Sequence, residues 1–173
     1  LRAPCRGACD KGPAISIGPC QIAPATPEKA LNAANGKTIS PDVPKYQDFE
    51  TYSSDNGYEL LKSCLRGTFT PDKVISILKD SNLRGLGGAG FPAGQKWEFV
   101  RLEPQPRMMA VNADEGEPGT FKDRWFLERE PHRILEGLLV AAWAVEAEKI
   151  YFYLRDEYPQ IRKLLLKELP KLE

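Results

Sequence analysis

The chain has 173 residues, with 24 Lys and Arg against 24 Asp and Glu, so it is formally neutral at pH 7. That balance excludes a binder driven by nucleic-acid phosphates, which needs a basic excess. No run of about 18 apolar residues is present to span a membrane, and 42% hydrophobic content suits one folded domain, or one plus part of another. The N-terminus shows no apolar leader run, so the four cysteines (Cys5, Cys9, Cys20 and Cys64) are read in a reducing, cytoplasmic context, where clustered thiols point to metal more than to disulfides.

Cys5 and Cys9 stand in CRGAC. Two thiols cannot close a four-thiolate site, so from spacing alone they are free thiols or part of a larger ligand set. Ala14–Ile17 reads as a short strand. Thr26-Pro27 opens a short helix that Gly36 stops, and 37–54 reads as a polar linker. Gly57–Gly67 reads as a helix with Leu60, Leu61, Cys64 and Leu65 on one face, which makes Cys64 a core thiol. Thr70-Pro71 opens another helix that ends near Asp80. Arg107–Asn112 reads as a buried strand, Thr120 and Pro131 mark two helix starts, Lys149–Leu154 is a second strand, and 161–169 is a terminal helix. The helix after Pro131 carries an apolar stripe of Ile134, Leu135, Leu138, Leu139, Ala142 and Trp143. Strand, helix, strand is a βαβ unit, so the fold class is α/β, with parallel strands and a right-handed crossover. His132, the only histidine, has no second ligand near it in sequence and reads as structural.

Two segments carry chemistry. Gly85, Gly87, Gly88, Gly90 and Gly94 crowd one stretch, followed by Lys96. Such a loop is either a flexible connection or a nest of N–H groups that takes a phosphate, with the lysine reaching the same anion. It follows a helix rather than a strand, so GLGGAG lacks the context of a dinucleotide fingerprint. Phe91 and Phe99 flank Lys96 and either pack in a core or stack on a heterocycle. The second segment, NADEGEPG, starts at Asn112 where a strand ends, the position at which open α/β sheets place ligands. Its three carboxylates, Asp114, Glu115 and Glu117, repel one another unless water, a hard cation or a hydroxyl-rich organic ligand accounts for them.

LRGLGGAGFPAGQKW (83–97) followed by VNADEGEPGTFKDR (111–124) resembles the family of flavin-bearing, NADH-oxidising subunits found in respiratory complex I, NAD-reducing hydrogenases and soluble NAD-dependent formate dehydrogenases. Leu86 stands where complex I members usually carry Arg, and AAWAVEAEKIYFYLRDEYP (141–159) is similar to the formate dehydrogenase beta branch. CRGACDKGPAISIG (5–18) is similar to the end of a thioredoxin-like domain holding a 2Fe–2S cluster. The resemblance implies a partial Rossmann-like FMN-binding domain that moves a hydride between NAD(H) and FMN and exchanges electrons with iron–sulfur clusters.

By the same resemblance, Gly85, Gly87, Gly88 and Gly90 approach the flavin, Lys96 meets its phosphate, and Asn112, Asp114 and Glu115 line it. Phe91 and Phe99 stack on the NADH adenine, Glu117 is the catalytic carboxylate beside the nicotinamide, and Cys5 and Cys9 are one of the two ligand pairs of the 2Fe–2S cluster. It further implies that 1–36 is a remnant of the iron–sulfur domain, 37–54 a linker and 55–173 the first part of the FMN/NADH domain. The chain is then an internal piece, inactive alone, of a cytoplasmic subunit whose missing part holds a 4Fe–4S cluster. Its partners are catalytic and ferredoxin-like subunits. The first 50 residues are expected to pack poorly without the rest of their parent domain.

Overall fold

Two helix starts, those after Thr26 and Thr70, fall where the capping residues put them. In the computed structural model, which describes residues 4–18, 20–36, 43–86 and 88–172, the strands β1 (Ile15–Ile17) and β2 (Cys20–Ile22) precede α1 (Pro27–Ala34), α2 (Phe49–Ser54), α3 (Glu59–Leu65), α4 (Pro71–Asp80) and α5 (Ala93–Leu102). Then come β3 (Arg107–Ala113), α6 (Lys122–Leu127), α7 (Pro131–Val145), β4 (Ala147–Leu154) and α8 (Pro159–Glu168). Thr26 accepts from Lys29 N and Thr70 from Lys73 N, each at 3.2 Å, with Pro27 and Pro71 in the first turn. Each cap satisfies an otherwise orphaned amide.

The chain divides into two compact units. The first comprises 1–49, 112–131 and 153–173; the second comprises 50–111 and 132–152. β3 and β4 run parallel as neighbours in one two-stranded sheet, with α7 as the connection, as the α/β reading requires.

In the second unit, α3 begins at Tyr58, whose φ of 64° and lack of a side-chain cap leave its first amides without a local acceptor. The buried Glu136 of α7 supplies one: its carboxylate accepts from Tyr58 N at 3.0 Å, from Leu61 N at 3.2 Å and from the Tyr52 hydroxyl. One turn earlier on α7, the fully buried His132 shares a 2.7 Å hydrogen bond between Nδ1 and the Tyr58 hydroxyl, the structural role expected of it. Cys64 is buried as a core thiol, and burial raises its pKa. Leu60 and Leu65, by contrast, are exposed, because this two-turn helix buries little more than Cys64.

α4 packs on α5 through Gly94: a Cβ there would stand 2.6 Å from Lys79 N and 3.0 Å from Ile75 O. Gly94 thus serves helix packing rather than the loop before it. Arg107 fixes the entry to β3. It donates to the carbonyls of Arg101 (2.8 Å), Glu103 (2.9 Å) and Val145 (3.1 Å) and pairs with Glu146 at 2.7 Å, which satisfies the ends of α5 and α7 together.

Three expectations change. β3 is not a buried strand: its residues alternate between half-buried and exposed up to Ala113, as a strand with one neighbour and one covered face does. The expected linker 37–54 includes the helix α2, while 37–42 lie outside the described residues. The described N-terminal residues form more regular structure than expected, while most of them stay exposed or half-buried as expected. β1 and β2 form an antiparallel hairpin with Ile15 opposite Ile22, and Gly7, Ala8 and Ile22 are buried. Gln21 donates to Arg6 O at 2.7 Å. This segment brings its own hairpin, and Arg124 and Arg155 donate to its Gly7 and Cys5 carbonyls.

Glu136→Ala leaves two α3 amides without an acceptor. The full chain is expected to lose about 2–4 kcal/mol of stability, with a smaller loss for Glu136→Gln, measured by denaturant unfolding.

Candidate functional site

The glycine loop belongs to the second unit. Its base is closed by a bridge between Arg84 and Pro92, by Gly85 N donating to Phe91 O at 3.0 Å, and by Ala93 N donating to Leu83 O at 2.8 Å. The Arg84 guanidinium donates to Gly90 O at 3.0 Å across the loop. Gly85 and Gly88 are exposed and Gly90 half-buried; Gly87 lies outside the described residues. No atom stands within 4 Å of where a Cβ would be at Gly88 or Gly90, so their backbone is open to an approaching group. Lys96 sits in α5 four residues after Pro92, exposed, with no ion pair among the described residues. Phe91 and Phe99 are each 48% exposed, and their rings lie 6.1 Å apart at 51°. They form a surface aromatic pair rather than a core.

The acidic turn belongs to the first unit, where three neighbouring carboxylates are held differently. The Glu115 side chain is buried. Its carboxylate accepts from Asp123 N at 2.8 Å, from Arg124 N at 3.2 Å and from the Tyr158 hydroxyl at 3.1 Å. It therefore caps the start of α6 from a distance, a favourable place for a negative charge. Burial, and then the adjacent Glu115 charge, push the Tyr158 pKa upward, so the phenol stays protonated as a donor. Asp114 and Glu117 are exposed, with side chains unpaired among the described residues, and Asn112 is exposed with its Oδ1 accepting from Asp114 N at 2.9 Å.

The CRGAC loop is built onto this turn. Arg155, buried at the end of β4, donates to the Glu115 carbonyl, to the Cys5 carbonyl at 2.7 Å and to Glu157 at 3.1 Å, with its guanidinium 5.2 Å from the Tyr158 ring centre. Arg124 donates to Gly7 O at 3.0 Å and pairs with Asp10 and with Glu128 at 3.0 Å. Gly7 lies flat against Tyr158, where a Cβ would stand 2.4 Å from the ring. Cys9 Sγ accepts from Gly119 N at 3.1 Å, and Cys5 Sγ from Gly7 N at 3.5 Å. The Gly7 amide holds the Cys5 thiol below its ordinary pKa. The two sulfurs are 3.4 Å apart. No group of three or more His, Cys, Asp or Glu among the described residues is arranged to hold a metal ion. Neither Arg124, Arg155 nor Tyr158 stands out in the sequence, because each works on partners far away along the chain.

The residues present fit a flavin mononucleotide. Open glycine backbone and a free lysine suit a phosphate, and exposed carboxylates and an amide suit a hydroxyl-rich body. Two adjacent thiols that each receive an N–H match half of the four-ligand set of a 2Fe–2S cluster. The Nuo51 FMN-binding domain model matches residues 78–172, which include Lys96 and the acidic turn, and the chain belongs to that family. It is 52% identical over 118 residues to an NADH-quinone oxidoreductase subunit of Rhizobium meliloti, covering 68% of this chain and 28% of that protein. The NADH-quinone oxidoreductase subunit matched in Aquifex aeolicus is 45% identical over 116 residues, covering 67% and 27%. The chain thus spans under a third of these relatives. Among solved structures, an NAD+-reducing [NiFe]-hydrogenase in its H2-reduced state superposes with a TM-score of 0.76 at 31% identity, covering 96% of this chain and 31% of that one.

Arg155→Ala removes the donor shared by two buried carbonyls. It is expected to cost about 2–4 kcal/mol and to speed hydrogen exchange in both 5–9 and 113–119, with Arg155→Lys intermediate because it lacks the planar fork. Loosening of only one of the two segments would show that Arg155 does not join them.

Proposed function

We propose that this chain is part of an electron-transferring flavoprotein subunit that moves a hydride between NAD(H) and FMN and passes electrons to or from iron–sulfur clusters. The observation that carries this reading is the FMN-binding family match over 78–172; Lys96, Asp114 and Glu117 lie within it, each exposed and without a side-chain partner among the described residues. When bound, FMN supplies the hydride-accepting ring. The protein's share is binding and orientation. Gly85, Gly87, Gly88 and Gly90 let the ligand approach the backbone, and Lys96 neutralises the phosphate. Asn112 and Asp114 take ring-edge and ribityl donors, and Glu115, held by α6 and Tyr158, keeps its neighbours in place. Phe91 and Phe99 offer the aromatic surface for an adenine, and Glu117 sets the charge beside the nicotinamide.

The assembly is read as a cytoplasmic NAD-dependent formate dehydrogenase, with partners that oxidise formate and carry iron–sulfur clusters; the resemblance of 141–159 to that branch supports it. An NAD-reducing hydrogenase is the second reading, favoured by a match that extends over 96% of the chain, N-terminal segment included. No helix among the described residues is long and apolar enough to cross a membrane.

In the complete subunit, Lys96→Ala is expected to weaken FMN binding by about 1.5–3 kcal/mol, the scale of one charged hydrogen bond, measured by flavin fluorescence. Glu117→Gln is expected to keep FMN and change nucleotide affinity. Unchanged FMN affinity for Lys96→Ala would remove its phosphate role. Formate-dependent NAD+ reduction by the purified complex separates the first assembly from the second, which would instead respond to hydrogen.

A further inference from the structure

The geometry points to a second use of the CRGAC loop: when no cluster occupies them, Cys5 and Cys9 close to a disulfide, and closure releases the acidic turn at Gly119. The two sulfurs stand 3.4 Å apart within one loop, and a disulfide needs them at about 2.05 Å. Closure therefore brings the two sulfurs together by about 1.35 Å. Cys9 is exposed and Cys5 half-buried, and both border an open recess of about 560 Å³. Arg6 lines the same recess with its guanidinium paired to Glu157 at 3.6 Å, and the recess is open enough for a small disulfide of the glutathione type to reach the loop.

The chemistry balances as thiol–disulfide exchange. The deprotonated Cys5 sulfur attacks one sulfur of the small disulfide, forming a mixed disulfide and expelling one thiolate. The Cys9 sulfur then attacks the Cys5 sulfur, the mixed bond breaks, and the second thiolate leaves. The two cysteines lose two electrons, the small disulfide gains them, and the two cysteine protons end on the two released thiols.

The consequence follows from one hydrogen bond. Cys9 Sγ is the acceptor for Gly119 N, 110 residues away at the end of the acidic turn. Turning Cys9 toward Cys5 draws that sulfur off the amide, and a disulfide sulfur is a poorer acceptor than a thiol or thiolate. Gly119 then loses its anchor to the cysteine loop, while Glu115 keeps its separate bonds to α6 and Tyr158. Oxidation therefore loosens the Glu117 end of the turn and leaves the Glu115 end fixed.

The test uses the full chain purified without iron or sulfide and treated with oxidised glutathione. Trypsin cuts after Arg6 and Lys11, so closure is expected to leave peptides 3–6 and 7–11 joined, two hydrogens lighter than their sum and separable by dithiothreitol. Cys5→Ser and Cys9→Ser, each checked for wild-type circular dichroism, are expected to abolish the link, and Cys20→Ser to retain it. Hydrogen exchange in 114–121 is expected to quicken by about fivefold at Gly119 on oxidation, the loss of one ordinary hydrogen bond, and to stay unchanged in oxidised Cys5→Ser. A glutathione adduct that persists without closure, or no oxidation at all, overturns the disulfide. Closure with an unchanged Gly119 amide overturns the coupling. No flavin is present in these measurements, so failure of the FMN reading leaves their outcome untouched.

Discussion

Burying one carboxylate of a crowded acidic turn demands donors, and much of the first unit is arranged to supply them. Glu115 draws two amides of α6 and the Tyr158 hydroxyl to its side chain, and Arg155 to its carbonyl. Breaking such a buried set on one side costs more than the set contributes when whole, because the groups left behind lose both partner and water. That asymmetry makes the arrangement self-enforcing. Tyr158 must lie beneath the turn, so the residue it also touches must be small, and Gly7 is there. Arg155 must reach the Glu115 carbonyl, and its second branch then meets the Cys5 carbonyl. The cysteine loop is thereby seated on the acidic turn by groups whose first duty is to the turn.

The local grammar of the fold was plain in the sequence, and the long-range polar pairing was not. Thr26-Pro27 and Thr70-Pro71 cap the helices they announce, because a cap is decided within four residues. Parallel pairing of the two strands followed from the helix between them. The extra helix at 49–54 was hidden by a polar composition that carries no apolar stripe, and helix formation there leans on tertiary contacts more than on propensity. β3 was read as buried because Met108, Met109, Ala110 and Val111 are apolar in a row, yet Met108 and Ala110 are exposed. An apolar run does not report whether a strand has neighbours on one face or two.

Within the candidate site, residue type was legible and role was not. NADEGEPG announces three carboxylates at a strand end, but nothing in the spacing says which one turns inward. Glu115 does because α6 begins within eight residues and its unpaired amides need an acceptor. The same blindness applies to the cysteines. CRGAC shows two thiols, whereas the amide that reaches Cys9 comes from Gly119. Gly94, counted with the loop glycines, is instead a packing glycine between α4 and α5, a distinction that depends on the proximity of Lys79 and Ile75.

Dividing the acidic turn into a fixed and a free carboxylate also resolves the repulsion that made the segment conspicuous. Three exposed acids within four residues would splay apart and order poorly. With the Glu115 carboxylate held by α6 amides and the Tyr158 hydroxyl and paired with Lys122 at 3.8 Å, the remaining Asp114 and Glu117 flank a rigid point instead of one another. A site that orients a ligand by charge needs its charges held in place before the ligand arrives, since ordering them on binding would subtract from affinity. Burying the middle acid does that for its two neighbours: Glu115 gives its oxygens to α6 and Tyr158 and thereby holds the turn that carries Asp114 and Glu117.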